Sequence, residues 1–114
     1  MMAVAERFED LKQAAQATNW RGRSGRFYAM AALPLDRFAL EDDELYLLAR
    51  GVDVLWVGTK AEVVADAARR AAFRTALRFA NAAFRIEAPA SDVHRMTMAW
   101  DLEGAEPVFG LSLT

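Results

Sequence analysis

The sequence contains no cysteine, a single histidine and three prolines, and charged residues interrupt every apolar stretch. Without cysteine the chain has no disulfide, thiol nucleophile, thiolate zinc site or cysteine-ligated iron–sulfur cluster. No stretch reaches the roughly 18 apolar residues that a transmembrane helix needs, and the first ten residues, which include Glu6, lack the apolar run of a signal peptide. We therefore expect a cytoplasmic protein with no membrane partner.

Recognised catalytic and metal-binding motifs are also missing. The sequence has no G-x-G-x-x-G, P-loop, H-E-x-x-H or G-x-S-x-G pattern. Asp92 and His94 would share one face of an alternating strand, but two ligands do not complete a metal site. The acid-rich stretches 41–44 and 101–106 lack the spacing of a calcium loop. The sequence thus predicts a noncatalytic protein without catalytic residues, cofactor or metal; an enzyme with an unrecognised site is a third alternative.

What the chain does contain is typical of one small globular domain. Its 114 residues are 54% apolar, although 24 of them are alanines, so fewer and larger side chains must form the core. A chain of this length usually folds around a single core. The net charge of −2 and the pI near 5.4 argue against a surface that attracts phosphate everywhere. We predict one α+β domain over residues 1–114.

The first helix is predicted near the N-terminus. Val4, Phe8, Leu11 and Ala15 recur at steps of four, three and four residues, which places them on one side of a helix. Acidic residues occur early in this segment, where the helix dipole favours them. The pattern predicts an amphipathic helix over residues 3–17.

The strand signals lie in four places. The first is a strand at about 26–33 that Pro34 must end, although a helix is the alternative there. The second is a hairpin over 44–58 that turns at Gly51. A short strand over 82–88 and a second hairpin over about 93–113 follow. Together they predict a mainly antiparallel sheet of about six strands. The N-terminal helix and one long central helix would pack on one face of that sheet.

The central helix has a clear start. Thr59 and Glu62 have the spacing of a capping box, so the helix should begin at Lys60 and run to about Ala80. A break with Asp66 as a second cap is the alternative.

The wheel of this helix offers two apolar faces. Val64, Ala68, Ala72, Ala76 and Phe79 form the one expected to pack on the sheet, where enlarging Ala72 should cost about 1–3 kcal/mol. Phe73, Leu77 and Ala80 form a ridge outside that face and need another partner, either the N-terminal helix or a second protein molecule. We therefore predict a homo-oligomer, specifically a dimer, with Phe73 and Leu77 in the interface.

Two arginine clusters suggest an alternative function. Arg21, Arg23 and Arg26 lie in a glycine-containing loop between aromatic residues, and Arg70, Arg74 and Arg78 recur every four residues along the helix. Such clusters are usually solvated surfaces, and here the helix dipole also favours them. They are also typical of contacts with phosphates or an acidic partner. The sequence thus predicts a noncatalytic protein-interaction or self-assembly module, with nucleic-acid binding as the alternative.

Overall fold

The computed structural model describes residues 17–108, in which six strands form one sheet. The strands are β1 (Ala17–Arg21), β2 (Phe27–Leu33), β3 (Glu44–Arg50), β4 (Asp53–Gly58), β5 (Ala82–Glu87) and β6 (Glu106–Pro107), in the order β4-β3-β5-β2-β1-β6. Every neighbouring pair is antiparallel. The α+β class and the antiparallel six-stranded sheet are therefore confirmed. The predicted N-terminal helix lies outside the described residues.

Three α-helices and one short 3-10 helix accompany the sheet. The α-helices are α1 (Lys60–Ala65), α2 (Ala67–Phe79) and α3 (Asp92–Glu103), and the 3-10 helix spans Leu35–Arg37. No helix within residues 17–108 is long and apolar enough to cross a membrane.

The β1–β2 hairpin was only half predicted from the sequence. The strand at 26–33 is confirmed and ends before Pro34, but no strand was predicted for its partner β1, which begins at the predicted helix end and reaches the arginine-containing loop. Trp20 of β1 is buried, lies opposite Tyr28 and meets the ring of Phe84 edge-on at 5.3 Å. Gly25 closes the turn with a φ of +90°, which few other residues tolerate.

The hairpin at 44–58 is confirmed. Gly51 supplies the positive φ at its turn, and the register shifts between Leu48 and Ala49. The side chains of β3 alternate between the two faces of the sheet, and nearly all are buried, as expected for a strand covered on both sides.

The predicted long helix is two helices. The Thr59 hydroxyl accepts a hydrogen bond from the Glu62 amide, which confirms the start at Lys60. At Asp66 the backbone becomes extended, and the Asp66 carboxylate accepts hydrogen bonds from the amides of Ala68 and Arg69. The break that the sequence left open therefore occurs, because Asp66 caps a new helix instead of continuing the old one.

The face of α2 that packs on the sheet agrees with the predicted one only at Ala76. Ala76 is buried, and Phe73 and Ala80 pack beside it, whereas Ala72 and Phe79 are exposed. The expectation that a larger residue at Ala72 overpacks the sheet contact is therefore wrong. The Phe73 ring packs over the sheet in place of the predicted alanines, and it meets the Trp56 ring edge-on with centres 4.9 Å apart. An aromatic pair of this kind buries more apolar surface than alanine side chains can.

The prediction of a second hairpin over about 93–113 is also wrong. Residues 92–103 form α3, and only β6 follows it as a strand within the described chain. The Ser91 hydroxyl caps the helix by accepting from the His94 amide. Met98, Ala99 and Leu102 pack on the core at helical spacing, which outweighs the strand-like alternation of the sequence.

Helices cover both faces of the sheet, not one as predicted. The larger core cluster includes Trp20, Met30 and Leu47, and α3 packs on it; the smaller cluster includes Leu48 and Ala83, and α2 packs there. Helix α3 also contacts β4, although it leads directly into β6 at the opposite edge. The sheet is therefore curved and barrel-like, with α3 between its two edges.

Candidate functional site

A buried carboxylate joins the end of α3 to the β1–β2 turn. Asp101 is 3% exposed, and its oxygens accept hydrogen bonds from the Ser24 amide, the Ser24 hydroxyl and the Tyr28 hydroxyl, each at 2.7 Å. The Asp101 carbonyl also accepts from the Arg23 amide at 3.1 Å. All these partners come from a segment more than 70 residues away in the sequence. The network therefore holds the arginine-containing turn against the helix.

The local sequence makes this contact possible. Gly22 lies so close that a β-carbon there would be 2.5 Å from the Asp101 carboxylate. The Gly25 amide donates to the Gly22 carbonyl, and the Ser24 hydroxyl also accepts from the Arg26 amide. Glycine for close approach and serine for hydrogen bonding thus explain the spacing of the turn.

The network shifts the ionisation of both acidic groups. Burial by itself would raise the pKa of the Asp101 carboxyl, but the hydrogen bonds from Tyr28 and Ser24 and the charge of Arg26 outweigh it and hold the pKa below its ordinary value. Burial, together with the hydrogen bond to Asp101 and its negative charge, raises the pKa of Tyr28 to about 12. At neutral pH the pair is therefore a carboxylate and a neutral phenol. This arrangement stabilises the fold and offers no group poised for proton transfer near pH 7.

The first arginine cluster is engaged within the protein. Arg21 pairs with Glu106 across β1 and β6. Arg23 donates to the Trp100 carbonyl at 2.9 Å, and its guanidinium lies 4.8 Å from the centre of the Trp100 ring. These contacts account for Arg21 and Arg23, whereas the exposed Arg26 forms no ion pair with a carboxylate among residues 17–108.

The second arginine cluster is less engaged. Arg70, Arg74 and Arg78 lie on α2, and none forms an ion pair with a carboxylate among residues 17–108. Helix α2 covers the opposite face of the sheet from α3. The two clusters thus belong to different layers and do not form one continuous basic surface.

The predicted interface residues lie in different environments. Phe73 is half-buried between Trp56 and Phe38, with ring centres 4.9 and 6.2 Å away. Leu77 is 36% exposed at the margin of the helix. Phe73 therefore helps to hold the helix on the sheet, and Leu77 is accessible to a partner. The role of both residues in binding a partner stays a prediction.

A groove with a volume of about 720 Å³ lies beside the start of α1. Its lining includes Asp42, Asp43, Glu87, Lys60 and Arg95. Its charges are mixed, and Lys60 lies 3.8 Å from Asp42. Within residues 17–108 no three histidine, aspartate or glutamate side chains gather as metal ligands would.

The histidine is exposed in the first turn of α3. Because Asp92 and His94 lie on a helix, two residues apart, they do not share a face as the predicted strand required.

Comparisons with protein-family models, with curated proteins and with solved structures found no match.

The sequence reading missed the most tightly hydrogen-bonded group in the described fold. Asp101 looked like part of an acid-rich stretch, and its partners lie at 24 and 28. The only local sign of this site was the turn sequence, where glycine and serine alternate with arginine and so indicate a tight, hydrogen-bonded turn. No spacing rule connects that turn to residue 101, because the contact depends on the sheet order.

Proposed function

We propose that this protein is a noncatalytic self-assembly module that forms a homodimer through the outward face of α2. The observation that carries the proposal is that α2 is uncharged on two sides. Its sheet side packs on the core through Phe73 and Ala76, and Arg74 and Arg78 lie on the side that points away from the core. Between these two sides is an exposed, uncharged surface, the α2 face, formed by Ala68, Ala71, Ala72, Thr75 and Phe79. A solvated helix normally carries charged or polar residues on that side, whereas a helix that is apolar all round is buried.

The composition of the α2 face suits contact between helices. Its small side chains let another helix approach closely, and Phe79, which is 53% exposed, adds a large apolar group at one end. Arginines flank the face, and the same protein exposes acidic residues at 41–43 that could meet them. Opposite charges on one chain favour association with a second copy.

Leu77 lies on the other side of α2 from the α2 face, so a contact through Leu77 would be a separate surface from the interface proposed here. The cysteine-free composition supports a place in the reducing cytoplasm. At neutral pH the Asp101 carboxylate is ionised and hydrogen-bonded to Ser24 and Tyr28, which supports a noncatalytic role for this buried group.

Thr75→Glu should convert the dimer to a monomer. A symmetric contact would bring two buried carboxylates together, and we expect at least a tenfold weaker dimer, about 1.4 kcal/mol or more. The helix itself should be preserved, since glutamate is a good helix former and Arg78 lies three residues on. Light scattering across protein concentration gives the masses.

The control is Ala61→Glu, which adds the same charge at an exposed alanine of α1 and should leave the mass unchanged. If Thr75→Glu and the unmodified protein have the same dimeric mass, the α2 face is not the interface. Leu77→Asp tests the other side of the helix: unchanged mass and unchanged stability would remove Leu77 as an interface residue, and a monomer from this variant with an unchanged mass for Thr75→Glu would move the interface to Leu77.

Nucleic-acid binding is a second candidate, favoured by the three arginines of α2 that lack carboxylate partners in the described chain. It predicts that a labelled DNA or RNA duplex binds with affinity that falls steeply with salt, and that replacing Arg70, Arg74 and Arg78 together with alanine abolishes binding. Salt-insensitive binding, or binding that survives the triple replacement, would rule out this role for the cluster.

A further inference from the structure

Helix α3 presents an apolar stripe to solvent. Val93, Met96 and Trp100 are 70%, 71% and 55% exposed, and their steps of three and four residues place them on one side of the helix. The opposite side of α3 carries Met98, Ala99 and Leu102 into the core. Helix α3 is therefore apolar on both sides, and the solvent side, which we call the α3 stripe, lacks a cover among residues 17–108.

The end of the α3 stripe is held in place. Arg23 donates to the Trp100 carbonyl and lies over the indole ring, so the ring is fixed from one side by a residue of the β1–β2 turn. The turn itself is fixed by Asp101. The indole is thus a preorganised apolar surface, which lowers the entropy lost when another element packs on it.

We propose that residues 1–16 form an amphipathic helix that packs Val4, Phe8 and Leu11 on the α3 stripe. The spacing of the two apolar sets is the first argument. The N-terminal set recurs at steps of four and three, and the α3 stripe at steps of three and four, so each set forms one ridge of comparable pitch.

The charges beside the two stripes are complementary. In the proposed helix, Arg7 and Lys12 would lie at the two margins of the apolar stripe, and the acidic residues would face away from it. On α3, Asp92 and Glu103 lie along one margin of the stripe, and Asp92 also pairs with Arg95. A basic margin therefore faces the acidic one in either orientation of the two helices.

Length and attachment allow the contact. A helix of 16 residues is about 24 Å long, and α3 with its 12 residues is about 18 Å long, so the first could cover the second. The N-terminal segment joins β1 at Ala17, and the far end of β1 leads into the turn that touches Trp100. Five strand residues span roughly 16 Å, which is within the reach of the proposed helix.

This contact uses a different helix from the proposed dimer interface and does not depend on it. An N-terminal helix on α3 would complete the second helical cover of the curved sheet. The other partner that the sequence suggested for such a helix is the Phe73 ridge of α2, and Phe73 is already packed against Trp56 and Phe38.

A pair of engineered cysteines tests the proposal in the full chain, which has no cysteine of its own. Phe8→Cys combined with Met96→Cys joins the centres of the two stripes. Under mild oxidation we expect a disulfide within one chain, because facing positions of packed helices bring β-carbons close enough. Non-reducing electrophoresis and mass spectrometry of the peptides identify the bond.

The matched control combines Phe8→Cys with His94→Cys, because His94 is exposed on the same helix but points to a different side. We expect about tenfold less intrachain product from this pair, as expected for a segment that is tethered but not docked there. Equal yields from both pairs, or no intrachain bond from either, would overturn the proposal. A bond mainly between two chains would also overturn it, because a second copy would then cover the α3 stripe. Thr75→Glu in the same background separates the two proposals, since the intrachain bond should persist in the monomer.

Discussion

Replacing Asp101 with alanine is expected to lower the free energy of unfolding by about 3–5 kcal/mol. The change removes the acceptor of three hydrogen bonds and leaves the buried Tyr28 hydroxyl without its partner. It also releases the turn from the end of α3, since the Ser24 amide and hydroxyl lose their contacts together. Urea denaturation at pH 7, followed by circular dichroism, measures the loss.

Glu103→Ala is the control for Asp101→Ala. Glu103 is an exposed acid two residues further along the same helix, so its replacement should change stability by no more than about 0.5 kcal/mol. If Asp101→Ala costs less than about 1 kcal/mol, the carboxylate does not tie the turn to the helix as described.

The same carboxylate makes stability depend on pH in a defined direction. In the unfolded chain Asp101 takes up a proton near its ordinary value of 3.8, whereas the folded protein keeps it ionised to lower pH. Its contribution is therefore fully present well above 3.8 and is lost as the pH falls from there through the folded pKa. Between pH 6 and pH 3 the Asp101→Ala variant should lose less stability than the unmodified protein does; equal losses would show that other groups cause the acid sensitivity.

Gly22→Ala is expected to cost about 2–4 kcal/mol, the second large effect. The added β-carbon would lie 2.5 Å from the Asp101 carboxylate, which cannot move aside without breaking its hydrogen bonds to Ser24 and Tyr28. Chemical denaturation compares the variant with the unmodified protein. The expectation is a lower midpoint with an unchanged slope, the sign of lost stability without a change in the surface exposed.

Gly104→Ala provides the comparison for Gly22→Ala. Its β-carbon would clash with the side chain of Arg23 near its Cγ, so Arg23 would have to leave the Trp100 carbonyl and the indole ring. Because Arg23 is exposed and its contacts lie at the surface, the cost should be about 1–2 kcal/mol and smaller than that of Gly22→Ala. A loss from Gly104→Ala equal to or greater than that from Gly22→Ala would contradict the view that the buried Asp101 network is the more rigid contact.

The sequence predicted those parts of the fold that depend on neighbouring residues. Gly51 between two apolar runs marked the β3–β4 hairpin, Pro34 marked the end of β2, and Thr59 with Glu62 marked the start of α1. Each of these signals acts within a few residues, so its effect does not depend on where the rest of the chain lies.

The predictions were wrong where tertiary packing determines the secondary structure of a segment or the orientation of a helix. Residues 96–102 alternate between larger apolar and other residues like a strand, yet they form α3 because Met98, Ala99 and Leu102 then pack together on the curved sheet. The orientation of α2 was wrong for a similar reason: Phe73 fills the hollow beside Trp56, which a wheel of the isolated helix does not show. The site at Asp101 needed the sheet order, which brings the β1–β2 turn to the end of α3.

The central claim is that this protein assembles through an uncharged helix face, and the molar mass in solution tests it most directly. Light scattering across protein concentration, at low and at high salt, should give the mass of two chains under both conditions, because burial of an uncharged face is little weakened by salt. A mass of one chain, 12.7 kDa, at every concentration and salt would contradict the claim.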